Sequence, residues 1–362
     1  MSVSPSHSGP RLRTALEVLP RYRAGAAPPP PPVGVVPYKA ASNEKPFPPL
    51  PGVLAAIDEA ARGVNRYPDF GASALVADLA EFLGVDPMSL AVGTGSVALL
   101  QHALQIACDD DDEVVVATPS FEAYPIIAAV TGARLIQVPV TSEHRHDLDA
   151  MVNAITDRTR VVIVCSPNNP TGTAVAREEF AAFMRAVPHD VLVILDEAYV
   201  EFVDAPSRFD ALAMLESHPN LCVMRTFSKA FGLAGLRVGY AIAAPHVAEA
   251  LRAVATPFGV SAVAQAAARA CLAPPARREI QVRIDHLVAE RVRLHEALAV
   301  WSAPAPQGNF VWLPLGEKSA SFAQACERQG LSVRLFDGVG VRVTVGEQPA
   351  NDRVITIARE VL

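Results

Sequence analysis

The chain has 362 residues, 51% of them hydrophobic and 19% charged, a globular composition of a length for which two domains are expected. Its net charge of −7, without any run of basic residues, argues against nucleic acid as a partner. The five cysteines show no Cys-x-x-Cys spacing and are odd in number, which disfavours a metal site or a disulfide framework and favours a reducing cytoplasm.

The first residues, MSVSPSHSGPRLR, lack the apolar core of a signal peptide, and no apolar run has membrane-spanning length, so we expect no membrane partner. Residues 26–51 are rich in proline, which predicts an extended arm or a linker. Helical spacing follows in VLAAIDEAARGV and ALVADLAEFLG. Short β-branched runs then alternate with helical stretches such as REEFAAFMRAV. These runs are EVVVATP (113–119), RLIQVPV (134–140), RVVIVCSP (160–167), VLVILDEAY (191–199), LCVMRTFS (221–228) and RVGYAIA (237–243).

This alternation predicts an α/β fold of three α/β/α layers, because near-continuous apolar strands between helices are typical of a mostly parallel sheet covered on both faces. A long charged helix at about residues 276–300 and strands at 309–315 and 340–346 predict a smaller α+β domain. We therefore divide the chain into an arm with part of the small domain (1–47), a large domain (48–255) and a small C-terminal domain (256–362).

Polar residues follow three of the predicted strands, at the sheet edge where open parallel sheets bind ligands. They lie in SPNNPTG (166–172), in DEAY (196–199) and in TFSK (226–229). Each has an ordinary structural explanation, such as a turn for SPNNPTG or a helix cap for Asp196. Together they match the needs of pyridoxal phosphate, which requires a lysine such as Lys229, an acid at its ring nitrogen and a phosphate cradle.

The phosphate cradle is predicted from two further features. Arg237 keeps its charge and binds oxygens through two donors. The stretch AVGTGSVALLQHAL (91–104) places glycines and small hydroxyl residues at the start of a helix, where free N–H groups face an anion. Taken alone, this stretch is better explained as a plain glycine-rich helix start.

With these residues in place, the chain resembles the fold-type I pyridoxal-phosphate aminotransferases, in the branch that contains histidinol-phosphate and aromatic aminotransferases. The resemblance runs from about Leu16 to the C-terminus. It rests on the motifs SNEKPF, NRYPD, GTGSVALL, PSFEAYP, SPNNPTG, DEAYVEF, RTFSKAFGLAGLRVGYAI, NFVWLPL and GVRVTVG. It implies the pyridoxal-phosphate transferase fold, pyridoxal 5′-phosphate as cofactor, an amino acid and a 2-oxo acid as small-molecule partners, and a homodimer with the site at its interface.

The resemblance also implies a role for each matching residue. Lys229 is implied to bind the cofactor as an aldimine and to move a proton between Cα and C4′. Asp196 is implied to pair with the ring nitrogen, and Asn169 and Tyr199 to contact the ring 3′ oxygen. The remaining implied roles are Phe121 on the ring face; Thr94, Gly95, Thr226, Ser228 and Arg237 around the phosphate; Tyr67 reaching the phosphate from the other subunit; Arg342 on the substrate carboxylate; and Asn43 and Tyr22 at the substrate entrance.

Two substrate classes remain open at this stage. Histidinol-phosphate enzymes usually carry an acidic pair in a G-x-D-E motif where this chain has Gly93-Thr94-Gly95-Ser96. The GTGSVALL and SFEAYP strings look more like the actinobacterial phenylalanine (aromatic amino acid) aminotransferases, which predicts ping-pong transamination between an aromatic amino acid and a 2-oxo acid such as 2-oxoglutarate. Arg334 keeps histidinol phosphate as the alternative, because a second cation suits a substrate phosphate as well as the distal carboxylate of glutamate.

Other classes of protein are less consistent with the residues. An amino acid phosphate decarboxylase on the same scaffold is compatible with Arg334 and would release carbon dioxide. A pyridoxal-phosphate-binding DNA regulator needs a further domain, and the segment before residue 52 is too short and too rich in proline for one. A nucleotide-binding dehydrogenase leaves Lys229 unexplained, and GTGS lacks the dinucleotide-binding spacing.

Overall fold

The computed structural model describes residues 33–361, together with Pro10, Leu19 and Gly25. Tyr22, predicted at the substrate entrance, lies outside the described residues. The strands are β1 (Tyr38–Ala40), β2 (Leu90–Gly93), β3 (Glu113–Thr118), β4 (Arg134–Pro139), β5 (Thr159–Cys165), β6 (Leu192–Asp196), β7 (Leu221–Thr226), β8 (Gly239–Ala243), β9 (Phe310–Leu313), β10 (Leu331–Phe336) and β11 (Gly340–Thr344). The helices are α1 (Pro51–Ala61), α2 (Ser73–Leu83), α3 (Ser96–Ala107), α4 (Tyr124–Thr131), α5 (Leu148–Asn153), α6 (Arg177–Ala186), α7 (Pro245–Ala253), α8 (Ala262–Leu272), α9 (Pro274–Leu298), α10 (Ser319–Arg328) and α11 (Gln348–Val361).

A seven-stranded sheet in the order β2-β8-β7-β6-β5-β3-β4 forms the centre of the larger part. The five strands from β7 to β4 pair in parallel, whereas β8 runs antiparallel to both of its neighbours. The carboxyl ends of β5, β6 and β7 therefore meet at one edge of the sheet. This edge is where the sequence places its polar motifs.

Helices cover the central sheet on both faces, and this explains its apolar strands. Successive residues of a strand point to opposite faces. Val114 and Val116 accordingly belong to one buried cluster, with α3 and α4, while Val115 and Ala117 belong to the other. The predicted three-layer α/β class is confirmed.

A second sheet has the order β1-β10-β11-β9 and combines the two ends of the described chain. β1 pairs in parallel with β10, and the other pairs are antiparallel. Helix α9 packs on β9, and α10 packs on β10. Helix α8, inside the range predicted for the C-terminal domain, packs against α1 and α2 of the larger part. The domain boundaries at residues 47/48 and 255/256 stay a prediction.

Most of the predicted helices and strands are present. Strands β1, β2 and β10 were not predicted, because each is short or lies in a segment whose glycines or prolines suggest a loop. Strand β10 carried a usable signal, since Leu331, Val333 and Leu335 alternate with polar residues. Within residues 33–361, no helix combines the length and the apolar composition needed to cross a bilayer.

Candidate active site

A cavity of about 290 Å³ lies at the carboxyl ends of β5, β6 and β7, beneath the small sheet. A wider cleft of about 870 Å³, bordered by Arg145 and Arg208, contains none of the predicted site residues. The smaller cavity brings most of them together. Its lining includes Asn43, Phe121, Asn169, Asp196, Tyr199, Thr226, Ser228, Lys229, Arg237, Arg334 and Arg342.

Lys229 enters the cavity from the loop that follows β7. Its Nζ atom donates to the carbonyl oxygens of Ser42, at 3.2 Å, and Asn43, at 3.4 Å. Burial, reinforced by the positive charge of Arg342, lowers the pKa of Lys229 to about 7. A substantial fraction of this amine is therefore neutral near neutral pH, as a nucleophile requires.

Asp196 ends β6 and is 3% exposed. Its carboxylate accepts hydrogen bonds from the Tyr124 hydroxyl, at 2.8 Å, and from the backbone N–H of Ala198, at 3.2 Å. Burial raises the pKa of Asp196 to about 6, and these two hydrogen bonds limit the rise. The result is a buried carboxylate whose charge is costly unless a cation faces it.

The hydroxyl group of Tyr199 is oriented by a chain of hydrogen bonds from the small sheet. The Asn43 backbone N–H donates to Thr344 Oγ1, so the Thr344 hydroxyl donates its own proton to Asn43 Oδ1, each at 2.9 Å. This fixes the amide, and Asn43 Nδ2 donates to the Tyr199 hydroxyl at 2.9 Å. The Tyr199 oxygen is therefore an acceptor toward Asn43 and keeps its proton for another partner. Burial raises the pKa of Tyr199, which keeps the phenol neutral.

Arg342 extends from β11 across the cavity to the large sheet. Its guanidinium donates to the side-chain oxygen of Asn169 and, at 2.6 Å, to the carbonyl oxygen of Ala41. The face of the Phe310 ring lies 5.5 Å from the guanidinium carbon. Arg342 and Asn169, predicted for substrate and cofactor respectively, are thus joined directly.

The opposite end of the cavity has the character of an anion site. Arg237 donates to the Ser228 hydroxyl, at 3.2 Å, and the Ser228 backbone N–H donates to Thr226 Oγ1, at 3.1 Å. Gly95 precedes α3 with a φ of +84°, and a Cβ atom there would lie 2.5 Å from Arg237 Nη2. A Cβ atom at Gly239 would lie 2.7 Å from the Ser96 nitrogen, so this close approach to the start of α3 also requires a glycine. The N-terminus of α3 and Arg237 therefore face one small space.

Three of the described candidates, Gly95, Tyr67 and Thr94, are not among the residues that line the cavity. Tyr67 is 82% exposed, and its ring stacks on Phe258 at 4.6 Å. Thr94 lines a smaller pocket together with Phe70 and Gly259. Their predicted contacts with the phosphate stay predictions.

Two contacts were not predicted from the sequence. The Tyr124 hydroxyl donates to Asp196. Glu122 forms an ion pair with Arg334, with separations down to 2.6 Å. Both residues follow β3, whose end lies at the same sheet edge, but a sequence alone does not identify which partner they meet. No set of three or more histidine, cysteine and acidic side chains in the described part of the chain is arranged to hold a metal ion.

The family model for aminotransferases of class I and II matches residues 38–357, from the first strand of the small sheet into the last helix. The chain therefore belongs to this family of enzymes, and the predicted aminotransferase assignment is confirmed.

Relatives and a solved structure refine the comparison. An aromatic amino acid aminotransferase of Streptomyces coelicolor is 52% identical over 357 residues, 98% of each chain. Another protein of that name, from Streptomyces avermitilis, is 53% identical over 96% of each chain. The crystal structure of histidinol-phosphate aminotransferase from Sinorhizobium meliloti, in complex with pyridoxal-5′-phosphate, superposes with a TM-score of 0.85 at 27% identity. The superposition covers 98% of this chain and 100% of the Sinorhizobium meliloti chain.

Proposed function

We propose that this aminotransferase uses pyridoxal phosphate to move the amino group between an aromatic amino acid, such as phenylalanine, and a 2-oxo acid, such as 2-oxoglutarate. The observation that carries the substrate class is the 52% and 53% identity to two aromatic amino acid aminotransferases over nearly the full length of each chain. At such identity the residues around a shared site are expected to serve the same kind of substrate.

The described residues fit the proposed cofactor at both ends. Burial raises the pKa of the Asp196 carboxyl group although the charge of Lys229 opposes the rise, and a protonated pyridine nitrogen would supply a further cation to offset the cost of the buried charge. Arg237 packs so closely on Gly95 that a Cβ atom there would meet its guanidinium, and Arg237 and Ser96, at the N-terminus of α3, both line the cavity, which suits a phosphate. Lys229 lines the same cavity.

When bound, pyridoxal phosphate supplies an aldehyde that bonds to amines and a ring that accepts the electrons of the breaking Cα–H bond. Lys229 would bind the aldehyde through Nζ and, once released, would take the proton from Cα, which its pKa of about 7 allows. Asp196 would hold a proton on the ring nitrogen. Tyr199, which accepts a hydrogen bond from Asn43, would donate its own proton to the ring 3′ oxygen.

Arg342 is proposed to bind the α-carboxylate of the amino acid. Its guanidinium offers two parallel donors, the arrangement that suits a carboxylate. The Asn169 side chain, which already accepts from Arg342, holds the guanidinium in place and would contact the 3′ oxygen through its amide group. Phe121, which lines the same cavity, is proposed to stack on the ring.

We also propose a cytoplasmic homodimer. Three aromatic side chains form an exposed cluster, in which Tyr67, Phe70 and Phe258 are 82%, 66% and 40% exposed. An exposed aromatic cluster of this kind is typical of an interface. In a dimer Tyr67 would reach the phosphate site of the other subunit, and the backbone of Thr94 would donate to the phosphate. All five cysteines are unpaired, as in a reducing compartment.

Histidinol phosphate is the second candidate substrate, and one residue favours it. Arg334 is a cation that lines the cavity and could face a substrate phosphate. The Sinorhizobium meliloti protein, which is named for that substrate, shares the fold at 27% identity.

The absorption spectrum of the purified protein loaded with pyridoxal phosphate tests both levels of the proposal. We expect a visible band that bleaches when L-phenylalanine is added without any 2-oxo acid. The Lys229→Ala variant should keep its fold and lose turnover, whereas Lys318→Ala, at an exposed lysine, should behave as wild type. Bleaching by histidinol phosphate alone would refute the aromatic substrate, and failure to bind the cofactor would refute the whole proposal.

A further inference from the structure

Two arginines lie side by side on adjacent strands of the small sheet, at the cavity. Arg334 on β10 is the direct antiparallel partner of Arg342 on β11, so both side chains lie on the same face of the sheet. Both are largely buried, 8% and 6% exposed, and both line the cavity. Like charges at directly opposed positions are unfavourable unless their surroundings compensate them.

The contacts of the two guanidinium groups differ. Arg342 donates to uncharged oxygens of Asn169 and Ala41. Arg334 is bound by the Glu122 carboxylate, with Nε at 2.9 Å from Oε2 and Nη2 at 2.6 Å from each carboxylate oxygen. The charge of Arg334 is therefore compensated by an anion from the protein itself.

Glu122 is placed to act on the cavity rather than only on the surface. It follows Phe121, the residue proposed to stack on the cofactor ring, and lines the same cavity. Its side chain is 35% exposed, whereas that of Arg334 is 10% exposed. The carboxylate can therefore move into water when another anion takes its place, while the guanidinium stays at the cavity wall.

We propose that Glu122 determines substrate specificity. Its carboxylate occupies the Arg334 guanidinium, to which a distal anionic group of a substrate would otherwise bind. The inference rests on the proposed function. With Glu122 in place, the cavity accepts an uncharged side chain such as a phenyl group without leaving a buried cation unpaired. A substrate with a distal carboxylate or phosphate binds only by displacing Glu122, and that displacement lowers its affinity.

A purely structural role for the ion pair makes a different prediction. Glu122 lies in the large part and Arg334 in the small sheet, so the pair also connects the two. If it served only as this connection, its loss would affect all ligands alike. Charge selectivity among ligands that share the α-carboxylate group separates the two roles.

The test uses the cofactor-loaded protein and two ligands that cannot react, glutarate with a distal carboxylate and 3-phenylpropionate with a phenyl group. Their dissociation constants are measured by calorimetry for wild type and for Glu122→Gln, which keeps the shape and removes the charge. We expect glutarate to bind about tenfold more tightly to the variant, with less than about a twofold change for 3-phenylpropionate. Adding Arg334→Gln to Glu122→Gln should cancel the gain.

Controls make the result specific. Glu279→Gln removes the same charge and breaks an ion pair with Arg283, which is 2.8 Å long and lies on α9, so it should leave both constants unchanged. Glu122→Asp keeps the charge on a shorter side chain and should retain most of the wild-type preference if Glu122→Gln fails to fold. Equal changes for both ligands, or none, would overturn the proposal.

The test distinguishes a failure of this proposal from a failure of the substrate assignment. If wild type fails to transaminate phenylalanine but Glu122→Gln gains glutarate affinity selectively, the aromatic substrate is wrong and the role of Glu122 stands. If phenylalanine is a substrate and the ratio of the two constants does not change, the role of Glu122 is wrong and the proposed function stands.

Discussion

Replacing Asp196 by asparagine should stabilise the cofactor-free protein while it destroys the activity. The side chain is buried, and its carboxylate receives hydrogen bonds from the Tyr124 hydroxyl and the Ala198 N–H. An asparagine preserves this geometry, because its oxygen can accept from Ala198 and its amide can donate to the Tyr124 oxygen. The substitution therefore removes a buried charge and reverses this hydrogen bond, so the Tyr124 proton turns to its other neighbour, the Cys165 sulfur.

The magnitude follows from the pKa. Burial raises the pKa of Asp196 from 3.8 to about 6, and since one pKa unit corresponds to about 1.4 kcal/mol, the charge costs about 3 kcal/mol at about pH 8. Because the native state binds the proton more tightly than the unfolded chain does, stability falls as the pH rises from about 4 to about 6 and stays lower above that range. At about pH 5 the native carboxyl group is mostly protonated, and the cost is about half as large.

The assay is urea unfolding of the protein stripped of pyridoxal phosphate, at about pH 8 and about pH 5. We expect the free energy of unfolding of Asp196→Asn to exceed that of wild type by up to about 3 kcal/mol at the higher pH and by about half of that at the lower. Asp58→Asn, at an exposed position of α1, is the matched control. An advantage that does not depend on pH, or no advantage, would refute the reasoning about the buried charge.

Three further predictions concern the cavity walls. Gly95→Ala places a methyl group 2.5 Å from Arg237 Nη2, so the dissociation constant of pyridoxal phosphate, measured by equilibrium dialysis, should rise about tenfold. An unchanged constant would contradict the phosphate site. Thr344→Val removes the donor that orients the Asn43 amide, so turnover should fall about tenfold with a shifted pH–rate profile, whereas Thr344→Ser should stay near wild type. Arg342→Lys loses the two-donor geometry, so KM for the amino acid should rise about 10- to 100-fold with a smaller effect on kcat; a purely kcat effect would argue against carboxylate binding.

The parts of this molecule that depend on local pattern were predictable. Strands buried on both faces read as continuous apolar runs, and their order along the chain places Asn169, Asp196 and Lys229 at one sheet edge before any coordinates are seen. The fold class and the family followed from these features together with the motifs.

The parts that depend on distant pairing were not predictable. The hydrogen bond from Tyr124 to Asp196 spans 72 residues, and the ion pair from Arg334 to Glu122 spans 212. Polarity and spacing do not specify which of several polar residues near one sheet edge will meet. The antiparallel direction of β8 is a similar case, since an apolar run has the same pattern in either direction.

The pairing of β1 with the last strands has a consequence for synthesis. Ala41 and Asn43 meet Arg342 and Thr344 across 301 residues of chain. At about 5–20 residues per second, the ribosome takes on the order of 15–60 s to make the stretch between them. During that interval the central sheet with Lys229 can form, but the Asn43 amide lacks Thr344, which orients it toward Tyr199, and Arg342 is missing from the cavity. A nascent chain should thus acquire its fold gradually and its activity only near the end of translation.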